Sequence, residues 1–194
     1  MNDKENVVLY LTSPMPPSVN HYIRSRFIYK GGRPTSMVYE TSEAKEYKTN
    51  FRKYIESQVV EQGWDFPMNQ QQHFYVDCLF YFPRIDMDAN NYFKCLLDAI
   101  TETQLIWCDD NVVCERVNGI FYDKDNPRVE IVIKPVEYIG IFKNENEKGI
   151  FVHKCEGCSR YSRNCSILRK AIEGRIQPEI QDGICLKYKN VDKK

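Results

Sequence analysis

The chain has 194 residues, 42% hydrophobic and 28% charged, with Lys+Arg and Asp+Glu balanced at 27 each. That is enough apolar material for one packed domain plus a small annex, and it excludes wholesale disorder. No apolar run approaches the roughly 18–20 residues that span a bilayer, and the start M-N-D-K-E-N-V-V-L-Y lacks the basic-then-apolar layout of a secretory signal. The expectation is a soluble cytoplasmic protein with no membrane partner.

In chain order, Val7–Leu11 reads as a first strand, ended by T-S-P-M-P-P because proline forces an extended exit. Gly31-Gly32 is a hairpin turn between Arg26–Tyr29 and Met37–Tyr39. Thr41 or Ser42 can cap a helix that runs to about Val60, with Tyr47, Phe51, Tyr54 and Ile55 on one face. From His73 to Phe82 apolar residues alternate, which predicts a strand whose end delivers Asp86 and Asp88. Asp88 is a natural N-cap for a helix over Ala89–Thr103, with Phe93, Leu97 and Ile100 facing the sheet and Asn91, Lys94 and Asp98 sharing the polar face. Asn111–Tyr122 and Arg128–Val136 read as two further strands joined by D-K-D-N-P. Ile141–Gly149 reads as a linker, and a helix near Ser166 carries Leu168, Ile172 and Ile176 as a stripe.

The segment Arg84–Asp110 gathers Asp86, Asp88, Asp98, Asp109 and Asp110 around Lys94. Carboxylates crowded together repel unless a proton or a cation intervenes. Hard oxygen ligands suit Mg²⁺ or Mn²⁺. The plainer reading is that D-M-D caps a helix and D-D makes a turn; D-x-D also occurs in glycosyltransferases and phosphatases, so alone it says only metal and phosphate. For a shared site, the D-D turn must double back to the D-M-D, which adjacent strands allow if their ends lie on one edge of the sheet.

Zero net charge hides an asymmetry. Residues 1–138 carry 15 Lys+Arg against 20 Asp+Glu, and residues 139–194 carry 12 against 7. Between Asn6 and Tyr39 there is no acid, while Asn20, Tyr22, Arg24, Arg26, Lys30 and Arg33 alternate with Phe27 and Tyr29. Cations contact phosphates and aromatics stack on splayed bases, so this arm is a candidate DNA-binding element; the alternative is a solvated hairpin.

The 8 cysteines divide by position. Cys78, Cys95, Cys108 and Cys114 read as ordinary buried thiols. Cys155-x₂-Cys158-x₆-Cys165 with Cys185 supplies four thiolates for Zn²⁺, or alternatively for an iron–sulfur cluster. A short helix buries little, so a metal staple makes physical sense. The surrounding Arg160, Arg163, Arg169, Lys170 and Arg175 add a second surface suited to DNA.

The ordered set P-P-S-V-N-H-Y, R-x-D-x-D, Asn91, Lys94, L-L-D-A and D-D-x-V-V resembles the RusA family of Holliday junction resolvases over roughly residues 10–136. The resemblance implies an α/β fold: a single mixed-sheet domain with two main helices over 1–138, followed here by a linker at 139–150 and a small metal-stapled annex at 151–194. It implies an endodeoxyribonuclease that cuts four-way junctions by paired nicks as a homodimer, often in a prophage setting. It further implies Mg²⁺ held by Asp86, Asp88 and Asp110, with Lys94 assisting. Ala89 and Asn90 intervene before Asn91 where the family places Asn directly after the second Asp, and the stretch from Asp98 to Asp109 is one residue longer than in the family pattern. The competing readings are a non-catalytic DNA-binding accessory protein and a nuclease for other branched DNA.

Overall fold

The computed structural model describes residues 8–65, 72–161, 163 and 165–191. The chain divides into two units, Met1–Gln70 with Phe74–Pro135, and Gln71–His73 with Val136–Lys194.

The first unit is built on a four-stranded mixed sheet, from β1 (Leu9–Pro14), β4 (Phe74–Phe82), β5 (Val113–Tyr122) and β6 (Arg128–Pro135), in the order β1-β6-β4-β5. β6 is antiparallel to both β1 and β4, whereas β5 runs parallel to β4. Its other elements are α1 (Val19–Tyr22), the hairpin β2 (Ile23–Lys30) and β3 (Arg33–Glu40), α2 (Ser42–Glu61) and α3 (Asn90–Thr101). The mixed sheet and its helices agree with the α/β expectation.

The alternation in β4 is realised as written. Phe74, Val76, Cys78, Phe80 and Phe82 are all buried, and they join Leu9, Leu11, Ile131 and Ile133 in one core with Phe51 and Ile55 of α2 and Phe93, Leu97 and Ile100 of α3. Each such side chain contributes about 1.5–3 kcal/mol on burial. Thr41 caps α2, its hydroxyl accepting the Ala44 N–H at 3.2 Å.

Several boundaries differ from expectation. β1 extends through Pro14, because the antiparallel ladder to Arg128 continues there and a proline is tolerated on an edge strand; Val7 lies outside the described residues. α3 begins at Asn90, and the Asp88 carboxylate accepts the Asn90 N–H at 3.0 Å just before it. Cys108 is exposed rather than buried, and Cys114 half-buried.

In the second unit, the stretch expected as a linker folds as α4 (Glu145–Glu156). Asn144 caps it, accepting the Glu147 N–H at 2.9 Å, and Glu145 and Glu147 sit in the first turn with Lys154 in the last, charges favourable to the helix dipole. α5 (Ile167–Ile172) is shorter than the stripe implied: Gly174 turns the chain at φ 79, and Ile176 lies beyond it, 81% exposed. A short hairpin, β7 (Ile180–Gln181) and β8 (Ile184–Cys185), follows. The buried centre of this unit consists of Phe142, Phe151 and Ala171. Gly140 makes that packing possible, since a Cβ there would stand 2.2 Å from the Ala171 carbonyl oxygen.

Candidate active site

The helix α3 organises the site. Lys94 and Asp98, one turn apart, face the same way, and the Lys94 ammonium donates to Asp98 Oδ1 at 2.8 Å. Asp110, in the short 3₁₀ turn Asp110–Val112, brings Oδ2 to 3.9 Å from the same ammonium. Asp109 caps that turn, accepting the Asn111 N–H at 2.9 Å. Lysine between two carboxylates is held as a cation: the hydrogen bond it donates to Asp98 raises its pKa, burial opposes this, and the charges of Asp98 and Asp110 add to it.

Asp98 has a second partner that sequence spacing alone does not reveal. The Tyr22 hydroxyl donates to Asp98 Oδ2 at 2.5 Å and lies 3.0 Å from Glu40 Oε1. Burial pushes this phenol well above the usual tyrosine range, and Asp98 and Glu40 push it further, so it stays protonated and serves as a donor. The buried Lys48 continues the network, bonded to Glu40 at 2.6 Å and to Glu102. Burial pulls Lys48 down, but Glu102 and Glu40 outweigh it and the net shift is upward. Tyr22 is therefore withdrawn from the expected DNA-contacting set: it is 3% exposed and committed to Asp98. No local pattern signals this contact, because the partner lies 76 positions along the chain.

Asp86 and Asp88 lie on the exposed loop after β4. Arg84 Nε stands 2.9 Å from Asp86 Oδ1, and both acids flank Tyr92, whose hydroxyl is raised by burial, opposed by Arg84 and reinforced by Asp86 and Asp88. The parallel pairing sets Val113 beside Phe74 and Tyr122 beside Phe82. The D-x-D and the D-D pair thus leave opposite ends of β4, not one edge of the sheet. Its 9 residues span about 30 Å. α3 runs back between them, its 12 residues covering about 18 Å. Asp110 thereby comes to Lys94, and Asp86 and Asp88 lie on the loop just before the helix. Among the described residues, no three His, Cys, Asp or Glu side chains are gathered closely enough to hold one metal ion. The donor chemistry of Asp86, Asp88 and Asp110 fits a hard divalent cation; a closed cage for it is not formed.

The basic arm is the β2–β3 hairpin. Arg24, Arg26, Lys30 and Arg33 are exposed, as is Asn20 in α1. Phe27 and Tyr29 are 79% and 81% exposed, and Arg26 stacks over Tyr39 at 5.5 Å from its ring centre.

The annex thiols Cys155, Cys158, Cys165 and Cys185 line one cavity of about 310 Å³ together with Tyr161, Ile167, Leu168, Ile172 and Tyr188. Burial, then the neighbouring Cys185, Cys165 and Cys158, push the Cys155 thiol up to about 11. The expected zinc is not supported, because no three of these ligands stand close enough to share a single ion.

Residues 14–134 match the family model described as Endodeoxyribonuclease RusA. The chain belongs to the RusA endodeoxyribonuclease family. It is accordingly a nuclease, of a family whose members resolve Holliday junctions. The match ends before α4, so the annex lies outside the family region. No curated protein matches the chain. No helix among the described residues is long and apolar enough to cross a membrane.

Proposed function

We propose that this RusA-family nuclease is a Mg²⁺-dependent cytoplasmic homodimer that resolves four-way DNA junctions by paired nicks, with Asp86, Asp88 and Asp110 as metal ligands and Lys94 as the assisting cation. The observation that carries the reading is Lys94 itself, pinned between Asp98 at 2.8 Å and Asp110 at 3.9 Å within the matched region. Magnesium, when bound, would polarise a phosphoryl oxygen and lower the pKa of the attacking water.

The side chains supply the rest. Lys94, kept protonated by Asp98, cannot act as a base at neutral pH; it stabilises negative charge as it grows on the phosphate. Tyr22 fixes Asp98 and through it the aim of Lys94. Asp86 and Asp88 are exposed on a loop that Met87 and Ala89 anchor to the core, so their carboxylates face solvent, where they would be accessible to a divalent cation. Asn20, Arg24, Arg26, Lys30 and Arg33 neutralise flanking phosphates, while Phe27 and Tyr29 stack on bases opened at the junction centre. A four-way junction is nicked twice at symmetric positions, which two copies related by a two-fold axis accomplish.

The test is to compare wild type with Asp88→Asn and Asp110→Asn on a synthetic junction. Both variants are expected to retain junction binding and lose cutting by at least about 100-fold. Undiminished cutting by both would refute the ligand assignment; preferential cutting of flaps or forks by wild type would refute the substrate.

A further inference from the structure

Outside the family region, Cys155, Cys158, Cys165 and Cys185 converge from four places: the last turn of α4, the turn that follows it, the segment just before α5, and β8. None is in a disulfide. Convergence of all four thiols of the annex on one cavity, from segments up to 30 residues apart in sequence (Cys155 to Cys185), is not what scattered surface cysteines produce.

The size of the cavity that the thiols line says what it takes. Thiolates on one tetrahedral zinc, each about 2.3 Å from the ion, must lie within about 4 Å of each other. No three of these do so closely enough to share an ion, yet they ring a cavity of about 310 Å³. In a four-iron, four-sulfide cluster each cysteine binds its own iron, so the thiolate ring is wide and its middle is filled by iron and sulfide. The walls suit such an occupant. Ile167, Leu168 and Ile172 give the lining an apolar side, and Arg169 and Lys187 at the lining would offset the negative charge of a thiolate-bound cluster. The Lys189 N–H already points at Cys158 Sγ, at 3.4 Å, the kind of hydrogen bond that tunes cluster sulfurs. Finally, the buried centre of the annex among the described residues is small, Phe142, Phe151 and Ala171 with partly buried neighbours that include Cys155 and Cys185, and small cores gain most from a staple.

We propose that the annex binds an iron–sulfur cluster of the four-iron type through Cys155, Cys158, Cys165 and Cys185, rather than zinc. The full chain, purified without oxygen from cells supplied with iron, is to be assayed for iron, acid-labile sulfide and zinc, and for broad visible charge-transfer absorption. About four iron and four sulfide per chain are expected. Cys158→Ala and Cys185→Ala should lose most of both, and Cys108→Ala should keep them. If the isolated protein carries little metal, the wild-type chain is to be offered ferrous iron with sulfide, and separately zinc alone. Uptake of about four iron with the visible band supports the cluster. One zinc per chain without sulfide overturns it in favour of a single-ion site, and failure to take up either leaves four ordinary thiols and overturns it equally. None of these readouts depends on DNA cutting, so the nuclease assignment stands or falls separately.

Discussion

Lys94 is the proposed assisting cation, and its environment makes a definite statement about pH. Its folded pKa is raised, so its pairing is fully present below the ordinary lysine value and is lost only as pH rises through the raised one. Between about pH 6 and 9 it should therefore impose neither a rise nor a fall on kcat, measured as a pH–rate profile with saturating junction. Lys94→Met should lower kcat by roughly 100-fold with little change in junction affinity, and Lys94→Arg should recover part of it. Lys48 tests a different property. Lys48→Met leaves Glu40 with Tyr22 alone and Glu102 with Arg52 alone; because both carboxylates are about a third exposed, the expected loss is about 1–3 kcal/mol in denaturant unfolding. At this scale the sequence reveals what is local. The Lys94–Asp98 pair follows from helical spacing, but Tyr22 to Asp98 spans 76 positions and no periodicity announces it. An aromatic beside basic residues looks the same whether it faces DNA or a buried carboxylate.

The β2–β3 hairpin is held by its own ladder, from Ile23 opposite Glu40 to Lys30 opposite Arg33, and its aromatics Phe27 and Tyr29 are left outside any core. Phe27→Ala with Tyr29→Ala should weaken junction binding by roughly 10-fold or more while leaving the melting temperature within about 2 °C; a large fall in melting temperature instead would mean that they pack. The elements themselves were readable wherever one face is buried. β4 and α3 have strong alternation or helical stripes because they pack directly on the core. α4 was not readable because the segment F-K-N-E-N-E-K-G has no apolar stripe; its helix is set by the Asn144 cap and by charges at its two ends. Ile176 misled for the converse reason: an apolar residue at the right spacing lies past the Gly174 turn that ends α5.

On the scale of the molecule, what no local pattern conveys is strand direction. β5 runs parallel to β4, so the acidic pairs that flank α3 leave opposite ends of the strand, and the helix with Lys94 on it becomes the bridge between them. The match over 14–134 establishes the family of that unit, while the Gln71–His73 and Val136–Lys194 unit adds a thiol-lined cavity of its own. In the proposed mechanism, carboxylates brought to Lys94 and its helix act with a divalent cation on branched DNA. The most direct test of that mechanism is to map the products from a synthetic four-way junction incubated with the intact protein, once with Mg²⁺ and once with a chelator. Symmetric paired nicks that appear only with Mg²⁺ are predicted; cutting that persists in chelator, or an intact junction in Mg²⁺, would contradict it.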